Sequence, residues 1–186
     1  MNVPIMTFSS RYFYDGKLIA NPLVANWRVF PDDRPVEFID TAGCGFFERK
    51  DGEGNSTSNP EEAQLLMRHL QQYLELVQMS GNNIGSIAVI SPCKAQTVLL
   101  REKLDGLAID DQTVNLSVNT VDSFQGQERD VVYISMVRSN EKSIIGFLSD
   151  VRRMNVAMTR ARKKLVIIGD SATIGNHPFY GSLLDY

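Results

Sequence analysis

Residues Val151 to Lys164, VRRMNVAMTRARKK, hold six arginines or lysines in fourteen positions of a chain that is acidic overall, with a formal net charge of −3. Laid on a helix at about 100° per residue, Val151, Met154, Ala157, Met158 and Ala161 form one apolar stripe. Arg153 and Arg160 then share one flank, and Asn155 and Arg162 the other. Guanidinium meets phosphate oxygens in a planar fork and keeps its charge at every physiological pH. One flank can therefore serve a phosphate-bearing ligand while the stripe holds the helix down. A solvated basic face has the same pattern, so this segment by itself leaves both readings open.

Two further segments carry usable polar groups. In Thr120-Val-Asp-Ser-Phe-Gln-Gly-Gln-Glu-Arg129, hydroxyls and a carboxylate can cap a helix, and the hydroxyls can donate to a phosphate. Gly126 allows close backbone approach, and Glu128 is an acceptor for a hydroxyl or water. Ser91-Pro-Cys-Lys-Ala-Gln96 puts a hydroxyl, an ammonium and an amide together at a predicted helix start, a set that suits a nucleic-acid phosphate. A polar turn and a capped helix account for these two segments equally well.

Other chemistries are missing from the sequence. The one Gly-Lys, Gly16-Lys17, is followed by Leu18, and no GxxxxGK[ST] phosphate loop occurs. GxGxxG after a strand, GxSxG and HExxH are also missing, and His69 and His177 lie far apart. A self-sufficient nucleotide hydrolase or dehydrogenase does not fit; a nucleotide would need part of its site from elsewhere. Cys44 and Cys93 form no CxxC pair, which implies a reducing, cytosolic setting and no zinc site.

The elements that must position these groups follow from periodicity. A length of 186 residues allows one domain, with 43% hydrophobic and 22% charged residues excluding a disordered chain. No apolar run is long enough for a bilayer, and MNVPIMTFSSRYFY has neither the basic start nor the long apolar stretch of a signal peptide. Residues 1–35 read as an entry segment with irregular aromatics, ahead of a core over 36–186. Val36–Asp40 is predicted as a strand and 41–58 as a long polar loop. Asn59, Pro60 and Glu62 announce a helix that ends near Gly81. Strands are predicted over 87–90, 114–118, 130–136 and 165–168, with a helix over 94–104. Strands alternating with helices predict an α/β fold, a mostly parallel sheet covered on both faces. Ligands of such sheets lie beyond the carboxyl ends of the strands, which selects the loops after 90, 118, 136 and 168.

Read together and in order, SPCKAQ, VNTVDSFQGQERDVVYIS, VRSN and GFLSDVRRMNVAMTRARKKLVIIGD resemble motifs IV, V, Va and VI of superfamily-1 helicases. The similarity is to the branch of the nonsense-mediated-decay RNA helicase and the Dna-two nuclease-helicase. FSSRYFYDGKL resembles the start of that family's second RecA-like domain, and Ser56, Asn59, Glu62 and Ala63 match its S-x-x-N-x-x-E-A. The resemblance spans nearly the whole chain. Cys93 stands where the family often has an aromatic residue and Val151 where proline is common.

The resemblance implies a RecA-like domain without its own Walker A motif, the C-terminal motor half of a helicase. ATP would bind between it and the first RecA-like domain of the same protein, which would supply most of the Mg site. It implies that Arg160 is the arginine finger and that Gly126 and Glu128 line the nucleotide cleft; Arg153 is expected to support Arg160. Ser91, Gln96 and Thr120 are expected on single-stranded DNA or RNA, with Asp122, Gln125 and Arg138 orienting those contacts. The isolated half is expected to show no ATPase. A non-catalytic RecA-like nucleic-acid-binding module is the alternative.

Overall fold

A computed structural model describes residues 1–50, 56–107, 114–124 and 126–186. Asn2 accepts from the Ile5 amide and Pro4 fits the first turn, so the chain opens with helix α1, Val3–Phe13. The aromatics that read as irregular are the packing face of this helix. Phe8 and Tyr12 lie 5.3 and 4.9 Å, ring centre to ring centre, from Phe179 near the C-terminus. The Asn2 amide donates to Trp27 O and Lys163 O, both at 2.8 Å, and ties the helix to the sheet.

Strand β1 is Val36–Asp40, as its β-branched and aromatic content predicts. Within the expected loop 41–58, Arg49–Lys50 (β2) and Thr57–Ser58 (β3) pair as a short antiparallel ribbon; residues 51–55 of that loop lie outside the described residues. Helix α2, Pro60–Met79, begins on the Asn59 cap. Then come β4 (Ser86–Ser91), α3 (Lys94–Asp105), β5 (Asn115–Thr120), β6 (Arg129–Ser135), α4 (Val151–Met158), β7 (Ala161–Gly169), α5 (Ser171–Ile174) and α6 (Pro178–Leu184).

The main sheet has the order β1-β7-β6-β4-β5, with every neighbouring pair parallel. Alternate residues of its strands feed two cores, as a strand period of two requires. Ala88, Ile90, Val132, Ile134, Leu165 and Ile167 pack with α1, α4 and α6. Ile87, Val89, Val131, Tyr133, Val166 and Ile168 pack with α2 and α3. Helices therefore cover both faces. Among the described residues no helix is long and apolar enough to cross a membrane.

Glu62 does not return to cap its own helix. It is fully buried and accepts from Ser135 Oγ and the Val137 amide, while the Asn59 amide donates to Gln96 instead.

Candidate functional site

The basic segment is not one helix. Helix α4 stops at Met158, where Thr159 Oγ1 donates to Asn155 O at 2.8 Å and closes the last turn. Arg160 follows the helix, and Ala161 to Lys164 are the start of β7, in ladder with β6. The extra ladder positions beside β6 prevail over helical continuation. Met154, Ala157 and Met158 are buried as the stripe predicts, and Ala161 is buried from the strand. Arg153 and Arg160 are therefore not stacked on one flank.

This changes where each group stands. The segment from Thr120 to Arg129 leaves the carboxyl end of β5 and arrives at the amino end of β6. The segment from Asp150 to Ala161 makes the same crossing, from the loop after β6 to the amino end of β7. Arg153, at the first turn of α4, lies 3.5 Å from Asp122 and 3.4 Å from Asp150. It belongs to the carboxyl end of the sheet, against the expectation that it supports Arg160. At the amino end, the Arg129 amide donates to Arg160 O at 2.9 Å, and Arg162 Nε donates to Glu128 Oε2 at 3.0 Å. The rule that ligands lie beyond carboxyl ends selects half of these groups and misses the other half, because two segments carry polar groups back across one face.

Ion pairing sorts the six cations. Arg153, Arg162, Lys163 and Lys164 each have a carboxylate partner, Asp122 with Asp150, Glu128, Asp130, and Asp33 with Glu37 respectively. Lys164 is 2% exposed, with Asp33 Oδ1 at 2.8 Å and the Tyr73 ring at 4.9 Å, so its charge is spent inside the fold. Arg152 and Arg160 make no ion pair among the described residues. Arg160 is half-buried, and its Nε donates to Val156 O at 3.1 Å. That bond holds the stem and leaves the terminal guanidinium nitrogens for another group. Gly126 has φ +82°, with no atom within 4 Å of where a Cβ would stand, so its glycine serves the turn and not a tight contact. A half-buried guanidinium beside an open glycine turn can receive a phosphate oxygen, while the exposed Glu128 carboxylate can accept from a hydroxyl or a water.

At the carboxyl end, Ser91 and Thr120 are ladder partners on β4 and β5. Thr120 is half-buried, with its hydroxyl 2.8 Å from Ser123 Oγ, and Asp122 is exposed. Ser91 is fully buried and its hydroxyl accepts from the Cys93 amide. Gln96 is also fully buried: it accepts from the Asn59 amide at 2.8 Å and donates to Asn59 O and to Ser135 Oγ. Direct nucleic-acid contacts by the Ser91 and Gln96 side chains, expected from sequence, are corrected by this burial; Gln96 locks α2 to α3 and β6. Arg138 is turned into its own loop, 3.0 Å from Glu48 and donating twice to Ile144 O. Gln125 lies outside the described residues. Burial pushes the Cys93 thiol up to about 11, which keeps it protonated near neutral pH; both cysteines are free.

Sequence reasoning missed Glu48 and Arg162. Glu48 sits in a stretch read as loop, with no local signal. Arg162 becomes visible only when the MTRAR arginines are placed on different elements.

The profile of a family described as an AAA domain matches residues 1–172. The chain is 38% identical over 196 aligned residues to the DNA-binding protein SMUBP-2 of Rattus norvegicus, covering all of this chain and 19% of that protein. It is 37% identical to the DNA polymerase alpha-associated DNA helicase A of Saccharomyces cerevisiae, across 91% of this chain and 26% of that protein. With the regulator of nonsense transcripts 1 of Dictyostelium discoideum it shares 31% identity, across all of this chain and 14% of that protein. It thus spans between about a seventh and a quarter of these relatives. Similarity of this extent, on a parallel sheet with both faces covered, makes the chain a member of the AAA-domain family and of the superfamily-1 helicase branch that includes the nonsense-mediated-decay helicase.

Proposed function

We propose that this chain is the second RecA-like domain of an ATP-dependent superfamily-1 helicase acting on single-stranded DNA or RNA in the cytosol. Residues 1–35 are its entry segment and 36–186 its core. Its partner is the first RecA-like domain of the same protein, which brings the phosphate loop and most of the Mg site. Bound ATP supplies the phosphoryl group whose hydrolysis drives the motor. Arg160 directs its guanidinium at the charge that develops on that group, an effect worth on the order of 10³–10⁵ in rate in related hydrolases. Gly126 and Glu128 line the same cleft, and Arg162 fixes the Glu128 carboxylate.

The nucleic-acid surface lies at the other end of the sheet, on Thr120, Asp122 and Arg153. Ser91, Gln96 and Arg138 shape it from beneath through their internal hydrogen bonds. Contacts of this kind read backbone and not sequence, which suits a translocating motor.

One observation carries the reading. Among the described residues Arg160 has no carboxylate partner, and it stands at the amino end of the sheet beside the Glu128–Arg162 pair, in a sequence with no phosphate loop. The test is ATP hydrolysis by the purified chain and by the full-length protein that contains it. The chain alone is expected to be inactive and the full-length protein active with single strands added. Hydrolysis by the isolated chain contradicts a shared site.

A further inference from the structure

Val137, the second residue after β6, has φ +71°, although it is β-branched and fully buried. The Arg138 amide donates to Met136 O at 2.8 Å, so the chain makes a γ-turn about a residue that resists it. The turn is held from both sides. Its N–H donates to Glu62 at 3.0 Å, and its C=O accepts from Asn59 Nδ2 at 3.3 Å. Backbone strain that the surroundings over-determine points to a loop whose direction matters.

That loop is clamped a second time by Glu48. Its carboxylate accepts from the Ser139 amide and Asn140 Nδ2, each at 3.0 Å, and pairs with Arg138 at 3.0 Å. The Glu48 amide donates to Ser139 O. Phe47 thus adjoins an anchored residue, yet it is 57% exposed. The ring forms one wall of an open cleft of about 800 Å³, with Lys50, Arg138, Asn140, Lys142 and Ile144 on the others. Ser56, just before β3, accepts from the Ala95 amide at 2.9 Å, which joins the cleft to the start of α3 at the carboxyl end of the sheet.

We propose that this cleft is a second contact surface for single-stranded nucleic acid, with Phe47 stacking a base and Lys50 and Lys142 meeting the backbone. The proposal rests on the reading of the domain given above. Arg138 and Glu48 neutralise each other, which leaves two lysines against Glu141 and a net positive charge among the described lining residues. An exposed aromatic ring between cations accepts any base, since every base has a stacking face.

The experiment measures binding of labelled oligothymidylate and oligouridylate, of about five and about fifteen nucleotides, by the parent chain and by Phe47→Ala, Phe47→Trp and Thr120→Glu. Phe47→Ala is expected to weaken the longer oligonucleotides about fivefold or more and leave the shorter ones unchanged. Phe47→Trp fluorescence is expected to be quenched by the longer ones. Thr120→Glu is expected to weaken both lengths. Parent-like binding of long oligonucleotides by Phe47→Ala, equal weakening of both lengths, or unchanged Phe47→Trp fluorescence at saturation overturns the cleft proposal alone. Parent-like binding by Thr120→Glu overturns the nucleic-acid surface of the domain and leaves the Phe47 result to decide the cleft. A parent that binds neither length overturns both.

Discussion

Arg162 Nε donates to Glu128 Oε2 at 3.0 Å and fastens the start of β7 to the segment that enters β6. Both side chains are nearly half exposed, 42% and 49%, so the pair contributes little to folding, about 0–1 kcal/mol for pairs of this type. Its consequence is orientation. Arg162→Ala is expected to leave the melting temperature nearly unchanged while lowering ATP turnover of the full-length protein by about ten- to a hundredfold. Arg162→Lys should recover part of that loss. Parallel losses of stability and turnover would mark the pair as structural.

Lys164 behaves oppositely. It is 3% exposed at the side chain and shared between Asp33 and Glu37, with the Tyr73 hydroxyl also donating to Asp33 at 2.5 Å. Lys164→Met leaves a buried carboxylate without its cation and is expected to cost about 3–5 kcal/mol in denaturant unfolding. A cost below 1 kcal/mol would mean the network is solvated.

Glu62 gives the fold a pH dependence. Burial, with Asp170 nearby, pushes its carboxyl up to about 7, only partly offset by hydrogen bonds from Ser135 and Val137. The folded value lies above the unfolded one, so the native state binds the extra proton between them. This contribution is fully present below pH 4.5 and is lost as pH rises through 7. Stability is expected to fall across that window by on the order of 3 kcal/mol, with Glu62→Gln giving a flatter profile by about one proton. Identical profiles for parent and variant would refute it.

Much of the architecture was legible in the residues. Asn59, Pro60 and the spacing of Leu66, Leu70 and Val77 define α2, and the apolar runs around Val89, Val132 and Ile167 define the central strands. Helix α1 was not legible, because its aromatics follow a neighbour, Phe179, distant in sequence. The end of α4 was hidden for a related reason. Periodicity favours a helix through Ala161, and only the ladder with β6 shows that the chain has already become a strand. That one boundary separates Arg153 from Arg160 and divides the polar groups between the two ends of the sheet. Burial of Gln96 and Ser91 is equally a tertiary fact, invisible at a helix start whose composition suits an exposed site.

Arg152 and Arg160 are the two cations of the basic segment left without an ion pair among the described residues, and they stand at opposite ends of α4. The most direct measurement is the single-strand-stimulated ATPase of the full-length protein carrying either Arg160→Ala or Arg152→Ala. Arg160→Ala is expected to lose about 10³ or more in kcat with the folded state intact, and Arg152→Ala to stay within a few-fold of the parent. Parent-like turnover by Arg160→Ala would contradict the role assigned to Arg160.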